Sequence, residues 1–528
     1  MAWRTQVDRL VLVLSLLTGV VTHGYNLFNY PLYVTDEGIY IQQAWSVLRE
    51  LRLSPYTYFY DHAPAGWLLI AGWVAILPSQ FQTFGNAVDT GRALMLVVHV
   101  ASTFLVYRVT ARLSGSGPGA VLAAFLFNVS PLAIFYQRQV LLDNVMVMLV
   151  LLAVYLITGG TSWRNGDLRI VAAISSGVAF GIAVLTKENA IFFGPVVAYL
   201  LNKRLQGQMN YRFSMGFWSF AAVSCISLYF LYATLKNELL PSGFSFDLNN
   251  PPADHVSLLY TIWWQLHRTQ GSILDTSSPV WQFSLGAWLP KDTFILAAGA
   301  AAAAINLAVG ILSRGRWREG VIVSALALSY GIYLARGSQM LEFYVVPLLP
   351  FLAMNIGLLA GWPLSRMPAL VRPLPVLALM GVFLVNPAWG YVLVVDQFGH
   401  VVPHDLYKLN QTDMQAQQLA WIRQNIPPDA KLIIDDDIWA DLHDERPYYK
   451  WAHSHYKAAS DPDVRDKLFG KDWRNIDYVV MSNKMRQAMS LNNADGRETW
   501  ILQALDHSKP VWSVEHGDVK LEIDRVIK

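Results

Sequence analysis

A single cysteine, Cys225, in 528 residues leaves the chain unable to form an internal disulfide or a cysteine-based metal site. Cys225 lies inside an apolar run and reads as packing. Charge is scarce too: Asp, Glu, Lys and Arg make up 15% of the chain, against about 25% in an average soluble domain. The formal net charge is only +2, and the basic residues are spread over short loops, which excludes the electrostatic footprint of a nucleic-acid partner. There is no Gly-rich strand-to-helix fingerprint for a nucleotide phosphate, no internal repeat and no heptad pattern. The first apolar segment has no small-residue cleavage site, so it reads as a retained helix and not as a removed signal peptide.

What is abundant is apolar sequence, at 54% of residues. A bilayer core of about 30 Å needs about 20 apolar residues in a helix. By that rule about eleven segments are expected to span, near residues 10–27, 91–107, 118–135, 143–159, 169–186, 189–202, 213–235, 292–312, 320–335, 343–361 and 374–395. The stretch from Gly66 to Leu77 is too short to cross and is expected to lie in the interface, with Trp67 and Trp73 at headgroup level.

The positions of Lys and Arg orient these segments. With Arg4 and Arg9 inside, every other inside loop is basic: Arg108 and Arg112, Arg164 and Arg169, Lys203 to Arg212, Arg314 to Arg318, and Arg366 with Arg372. The expected arrangement is a multi-pass protein of the plasma (inner) membrane, with a cytoplasmic N-terminus and an extracytoplasmic C-terminus.

Residues 1–396 thus form an all-α polytopic membrane domain with long outside loops at about 28–90 and 236–291. Loops of that length inside a compact domain are usually functional. From about residue 397 the charge rises, and 397–528 reads as a soluble α/β domain on the same outer side. Met414–Gln424 has helical spacing, Lys431–Ile434 and Asp477–Met481 are strand candidates, and Pro510–Val526 reads as a hairpin around His516-Gly517-Asp518. The run Asp435-Asp436-Asp437 is read as a solvated strand end in preference to a metal site.

This topology gathers onto one face most of the ionisable residues near the apolar segments: Asp36, Glu37, Asp61, His62, Arg92, Arg138, Asp143, Lys187, Glu188, Arg336 and Glu342. Charges at helix ends are costly to desolvate and mark functional cavities. Carboxylates suit a general base or a metal, and cations suit a phosphate, so both halves of a transfer with a phosphate leaving group are present. Each element also has a plain structural reading. Asp36-Glu37 can be a solvated turn, Asp61-His62-Ala63-Pro64 the start of a short helix, Asp143 a helix cap, and Lys187 a complement to a helix dipole. Asp36, Asp61, His62 and Asp143 could instead hold a divalent ion.

The order Asp36-Glu37, Asp61-His62-x-Pro64, Arg92, Arg138-x-x-Leu141-Leu142-Asp143 and Leu185-Thr186-Lys187 resembles the C-type polytopic membrane glycosyltransferases that use polyprenyl-phosphate sugars. Within them it looks most like the protein O-mannosyltransferases and the lipid A aminoarabinose transferase. Phe343-Tyr344-x-x-Pro347-x-x-Pro350 is similar to a Tyr-x-x-Pro-x-x-Pro pattern in late helices of those enzymes. Two features depart from the pattern. Asp61-His62-Ala63-Pro64 stands where the mannosyltransferases have His-Pro-Pro and the aminoarabinose enzyme an acid before Lys-Pro-Pro, and the second outside loop matches neither.

The resemblance implies inverting transfer of a sugar from a polyprenyl-phosphate donor to a hydroxyl acceptor on a protein, lipid or cell-wall glycan. Asp36 would be the catalytic base with Glu37 beside it. Lys187, Arg138, Arg336 and Tyr344 would hold the donor phosphate, and Asp61, His62, Arg92 and Asp143 would shape the site. Partners would be the lipid-linked donor, membrane lipids and the acceptor. The rival classes are a transporter or flippase of a lipid-linked or anionic substrate, which would carry its charges at mid-membrane, and a non-catalytic scaffold.

Overall fold

The computed structural model describes residues 2–160, 166–241, 256–267, 274–313, 318–335, 340–390, 394–395, 401–402, 406–492, 496–517 and 519–528. Each expected apolar segment overlaps helical structure, although the last, 374–395, is helical only to Gly390 among the described residues. In chain order come α1 (Ala2–Gly24), α2 (Thr35–Glu50), α3 (Ala65–Ala75), α4 (Ala87–Ser114), α5 (Gly117–Val129), α6 (Pro131–Gln137), α7 (Leu142–Gly160), α8 (Gly166–Thr186), α9 (Gly194–Leu205), α10 (Tyr211–Leu235) and α11 (Leu258–His267). Longer helical stretches follow over Val280–Leu312, Arg318–Ala335, Glu342–Arg366 and Pro373–Gly390.

Among the described residues, six helices are long and apolar enough to cross a membrane: Ala87–Ser114, Leu142–Gly159, Asp167–Thr186, Tyr211–Leu235, Val280–Leu312 and Glu342–Arg366. The pair α5 and α6, bent by 60°, makes up to seven. The bend has a local cause. Pro131 restricts the residue before it to extended geometry, Ser130 sits at φ −63°, ψ 120°, and its hydroxyl caps the new helix by accepting from Ala133 N–H. The other expected segments are helical but shorter or less apolar than this measure requires.

Small residues let these helices approach closely. A Cβ on Gly119 of α5 would lie 2.4 Å from the Gly357 carbonyl oxygen, so the crossing of α5 with Leu349–Arg366 is at backbone contact. Helix α8 packs between α7 and α10. Helix α3 falls where the short apolar stretch was expected and is too short to span, and it packs closely within the protein. Trp67 is fully buried, Gly66 packs onto Leu142, and Trp73 Nε1 donates to the Thr90 carbonyl at 3.0 Å.

After the short antiparallel pair β1 (Val394–Val395) and β2 (Val401–Val402) comes a mixed five-stranded sheet in the order β4-β3-β5-β7-β6. It consists of β3 (Leu432–Ile434), β4 (Ala452–Ser454), β5 (Tyr478–Ser482), β6 (Ser508–His516) and β7 (Val519–Val526). Strand β3 pairs in parallel with β4 and β5, while β7 runs antiparallel to β5 and β6. All three residues of β3 are buried, as a strand covered on both faces requires. The expected hairpin is β6–β7, and the expected helix is Thr412–Asn425.

The sheet domain is docked onto the first loop. Helix α2 lies against Asp436–Ile438 and Trp439–Asp444. Gln42 Nε2 donates to Asp436 at 3.0 Å, Arg49 makes a two-pronged pair with Asp444 at 2.7 and 3.2 Å, and Gln82 Nε2 donates to Asp441 at 2.9 Å. Asp435-Asp436-Asp437 is therefore not a solvated strand end: Asp436 and Asp437 are buried and Asp435 accepts from Ser482 N–H at 3.0 Å.

Candidate active site

Helix α2 brings Asp36 and Glu37 into its first turn, where carboxylates complement the helix dipole. Side chains one residue apart on a helix diverge by about 100°, and these two serve different surroundings. Glu37 is completely buried against Arg92 of α4, with two 2.8 Å contacts to Nε and Nη2. Its oxygens also accept from Val140 N–H at 2.9 Å and Val34 N–H at 3.2 Å. The remaining Arg92 donors go to the carbonyls of Pro31, Leu27 and Leu32. Glu37 thus ties α2 to Arg92 of α4 and to the segment that precedes α7, beside Asp36.

Asp36 turns the other way. Its Oδ1 accepts from Tyr40 Oη at 3.3 Å, and it feels the charges of Lys187, His62 and Asp143. Burial pushes its carboxyl up from the ordinary value, and the positive charges of Lys187 and His62 hold that rise back. A carboxylate raised in this way is a better proton acceptor near neutrality.

Lys187 stands just past the end of α8. Its Nζ is 2.6 Å from Asp143 Oδ2 and lies over the rings of Tyr344, at 4.3 Å, and Phe343, at 5.1 Å. Asp143 opens α7, so two separate segments fix one ammonium group. Asp143 Oδ1 is buried without a hydrogen-bond partner.

The turn Asp61-His62-Ala63-Pro64 faces the same place. Glu188 accepts from Ala63 N–H at 2.6 Å and pairs with His62 Nδ1 at 3.4 Å, while Tyr58 and Tyr229 both donate to the His62 carbonyl. Burial alone would lower the imidazole's proton affinity, but Glu188 and Asp61 overbalance it and raise the pKa. Asp61, His62, Lys187, Glu188 and Tyr344 line a cavity of about 370 Å³. Its other wall is aliphatic, with Leu185 of α8, Ile226 of α10, and Leu258, Ile262 and Leu266 of α11.

Arg138 does not line this cavity. It is fully buried, and its guanidinium donates to the carbonyls of His23, Thr22, Tyr25, Tyr30 and Leu406. It joins the end of α1 to the first loop and the tail, which corrects its expected role as a phosphate ligand. Arg336 lies outside the described residues. No group of three or more His, Cys, Asp or Glu side chains suited to a metal ion occurs among the described residues. Asp36, Asp61, His62 and Asp143 are not gathered into such a set.

Two residues at the site escape the sequence reading. By sequence Glu188 is one of several charges on the outer face, whereas in the structure it tethers the His62 turn. Lys457, from the sheet domain, is buried, sits 4.4 Å from the Phe59 ring and feels the charge of Asp61. Nothing in local sequence links positions so far apart.

Residues 61–232 match the family of dolichyl-phosphate-mannose-protein mannosyltransferases. No curated protein matches the chain. The fold is similar to that of ArnT from Cupriavidus metallidurans bound to undecaprenyl phosphate, with a TM-score of 0.62, 12% identity and coverage of 99% of this chain and 98% of that one. It is also similar to the Archaeoglobus fulgidus oligosaccharyltransferase tethered with an acceptor peptide, with a TM-score of 0.56, 12% identity and coverage of 98% of this chain and 74% of that one. The chain therefore has the fold of the polytopic membrane glycosyltransferases and resembles those that use lipid-phosphate donors.

Proposed function

We propose that this chain transfers a sugar, with inversion, from a polyprenyl-phosphate donor to a hydroxyl acceptor at the outer face of the membrane. The observation that carries this reading is Lys187, held 2.6 Å from Asp143 and lining with His62 a cavity whose opposite wall is aliphatic, while Asp36 nearby feels the charges of both cations. One end suits a phosphate and the other suits an isoprenoid chain.

In the reaction the acceptor oxygen attacks the anomeric carbon from the face opposite the phosphate. The carbon–oxygen bond to phosphate breaks as the new glycosidic bond forms, and polyprenyl phosphate departs with the bonding electrons. Asp36 takes the acceptor's hydroxyl proton. Lys187 meets the charge that develops on the phosphate, where a preorganised cation in a site shielded from water contributes most. Asp143, Tyr344 and Phe343 hold Lys187 in place. His62, kept more basic by Glu188, faces the same phosphate position, and Asp61 shapes the mouth.

Support for the donor class comes from the mannosyltransferase match over residues 61–232 and from the likeness to ArnT bound to undecaprenyl phosphate. The test is a panel of polyprenyl-phosphate sugars offered to the purified protein. Release of polyprenyl phosphate with one of them, dependent on acceptor, is the expected result, and release with none would reject the reading.

A further inference from the structure

A second cavity, of about 680 Å³, lies where the C-terminal end of α2 meets the sheet domain. Asp36 and Arg49 are thirteen residues apart on one helix, so it opens about 20 Å from the base. That volume is in the range of small-molecule sites, but the lining is unlike that of the donor cavity. Six of its eleven lining residues carry aromatic or imidazole rings, four are charged, and the remaining one is Pro55. It has no aliphatic wall, and so nothing to hold an isoprenoid chain.

The rings form differently inclined surfaces. Trp45 stands edge-on to Trp439 at 84°, with centroids 5.2 Å apart, and His443 stacks on Trp439 at 3.7 Å. Tyr448 is 44% exposed at the rim. Burial holds His443 down at about 4 and His453 at about 3, so both present neutral rings. Planar polar groups sit between the rings: Asp444 accepts from Trp45 Nε1 at 2.9 Å and from Arg49. The exposed ring of Tyr448 can pack against C–H groups, and the exposed edge of the Arg49 guanidinium, which Asp444 fixes in place, can donate to paired hydroxyls, so together they form a surface for sugar rings.

We propose that this aromatic cavity binds the glycan portion of the acceptor, so that the acceptor of this protein is a carbohydrate chain long enough to reach from the sheet domain to Asp36. The proposal rests on the transfer reading above and names its acceptor class. The sheet domain, through His443 and Tyr448 supported by the buried Trp439, then selects the acceptor, while the membrane helices hold the donor.

The test uses the full-length protein in detergent on a printed array of neutral and acidic oligosaccharides, with labelled polyprenyl phosphate binding measured alongside. Wild type is expected to bind one class of oligosaccharide. Tyr448→Ala and Trp45→Phe should each weaken that binding about tenfold and leave polyprenyl-phosphate binding unchanged, and Asp36→Asn should still bind the glycan. Capture of no oligosaccharide, capture indifferent to Tyr448 and Trp45, or the same dependence seen with peptides instead of glycans would overturn the proposal. Failure of every lipid donor with glycan binding intact would instead remove the transfer reading alone.

Discussion

Gly38 and Asp436 are in backbone contact: a Cβ on Gly38 would lie 2.3 Å from the Asp436 carbonyl carbon and oxygen. Gly38 is two residues from Asp36, so the sheet domain presses directly on the turn of α2 that carries the base. The obstructing atoms are backbone and cannot swing aside. Gly38→Ala should therefore loosen the tail from α2, at a cost of about 1–3 kcal/mol typical of overpacking. Thermal unfolding and proteolysis of residues 406–528 measure this, and unchanged protection of the tail would contradict the contact.

The neighbouring acids should separate by phenotype. Removing Glu37 leaves Arg92 charged, buried and without its carboxylate, so Glu37→Ala should destabilise the protein by about 3–5 kcal/mol. Asp36→Asn should leave the melting temperature close to wild type. Melting curves of the two variants in one detergent test this directly.

Lys187→Ala removes the cation that faces the departing phosphate. Transfer should fall about 100- to 1,000-fold, as when a preorganised donor to developing charge is lost, and polyprenyl phosphate should bind more weakly. Asp143→Asn should show a smaller loss, because it positions Lys187 and does not meet substrate. Steady-state rates and lipid binding for both variants separate the two roles.

The pH profile carries the environment of Asp36. As the base, it must be ionised, and burial raises its pKa above the ordinary 3.8. Activity should be present above the raised value and lost as pH falls through it, so the acid limb lies at higher pH than for an exposed carboxylate. The positive charge of His62 lowers that pKa, and His62→Gln should move the limb further up. A limb that stays put or moves down would contradict the arrangement.

Local pattern made much of this architecture legible, and long-range contact did not. The helical segments, strands β3 and β5 and the terminal hairpin follow from hydrophobic period and turn residues at short range. Strand β4, three residues long, offers too little period to detect. The docking of α2 on the sheet domain joins Gln42 to Asp436 and Arg49 to Asp444 across nearly 400 residues, and no local signal encodes it. For the same reason three adjacent aspartates read as solvated when two of them, Asp436 and Asp437, are buried. Arg138 and Lys187 look alike as cations at helix ends. Only the acceptors around them, backbone carbonyls for Arg138 and a carboxylate at a cavity for Lys187, assign one to architecture and the other to the site.

The most direct measurement is sugar transfer from a polyprenyl-phosphate donor by purified wild type and Asp36→Asn, with folding checked by melting temperature. With Asp36 as the base, the variant should keep its fold and lose about 100- to 10,000-fold in rate. Undiminished transfer by Asp36→Asn, or no transfer by wild type with any such donor, would contradict it.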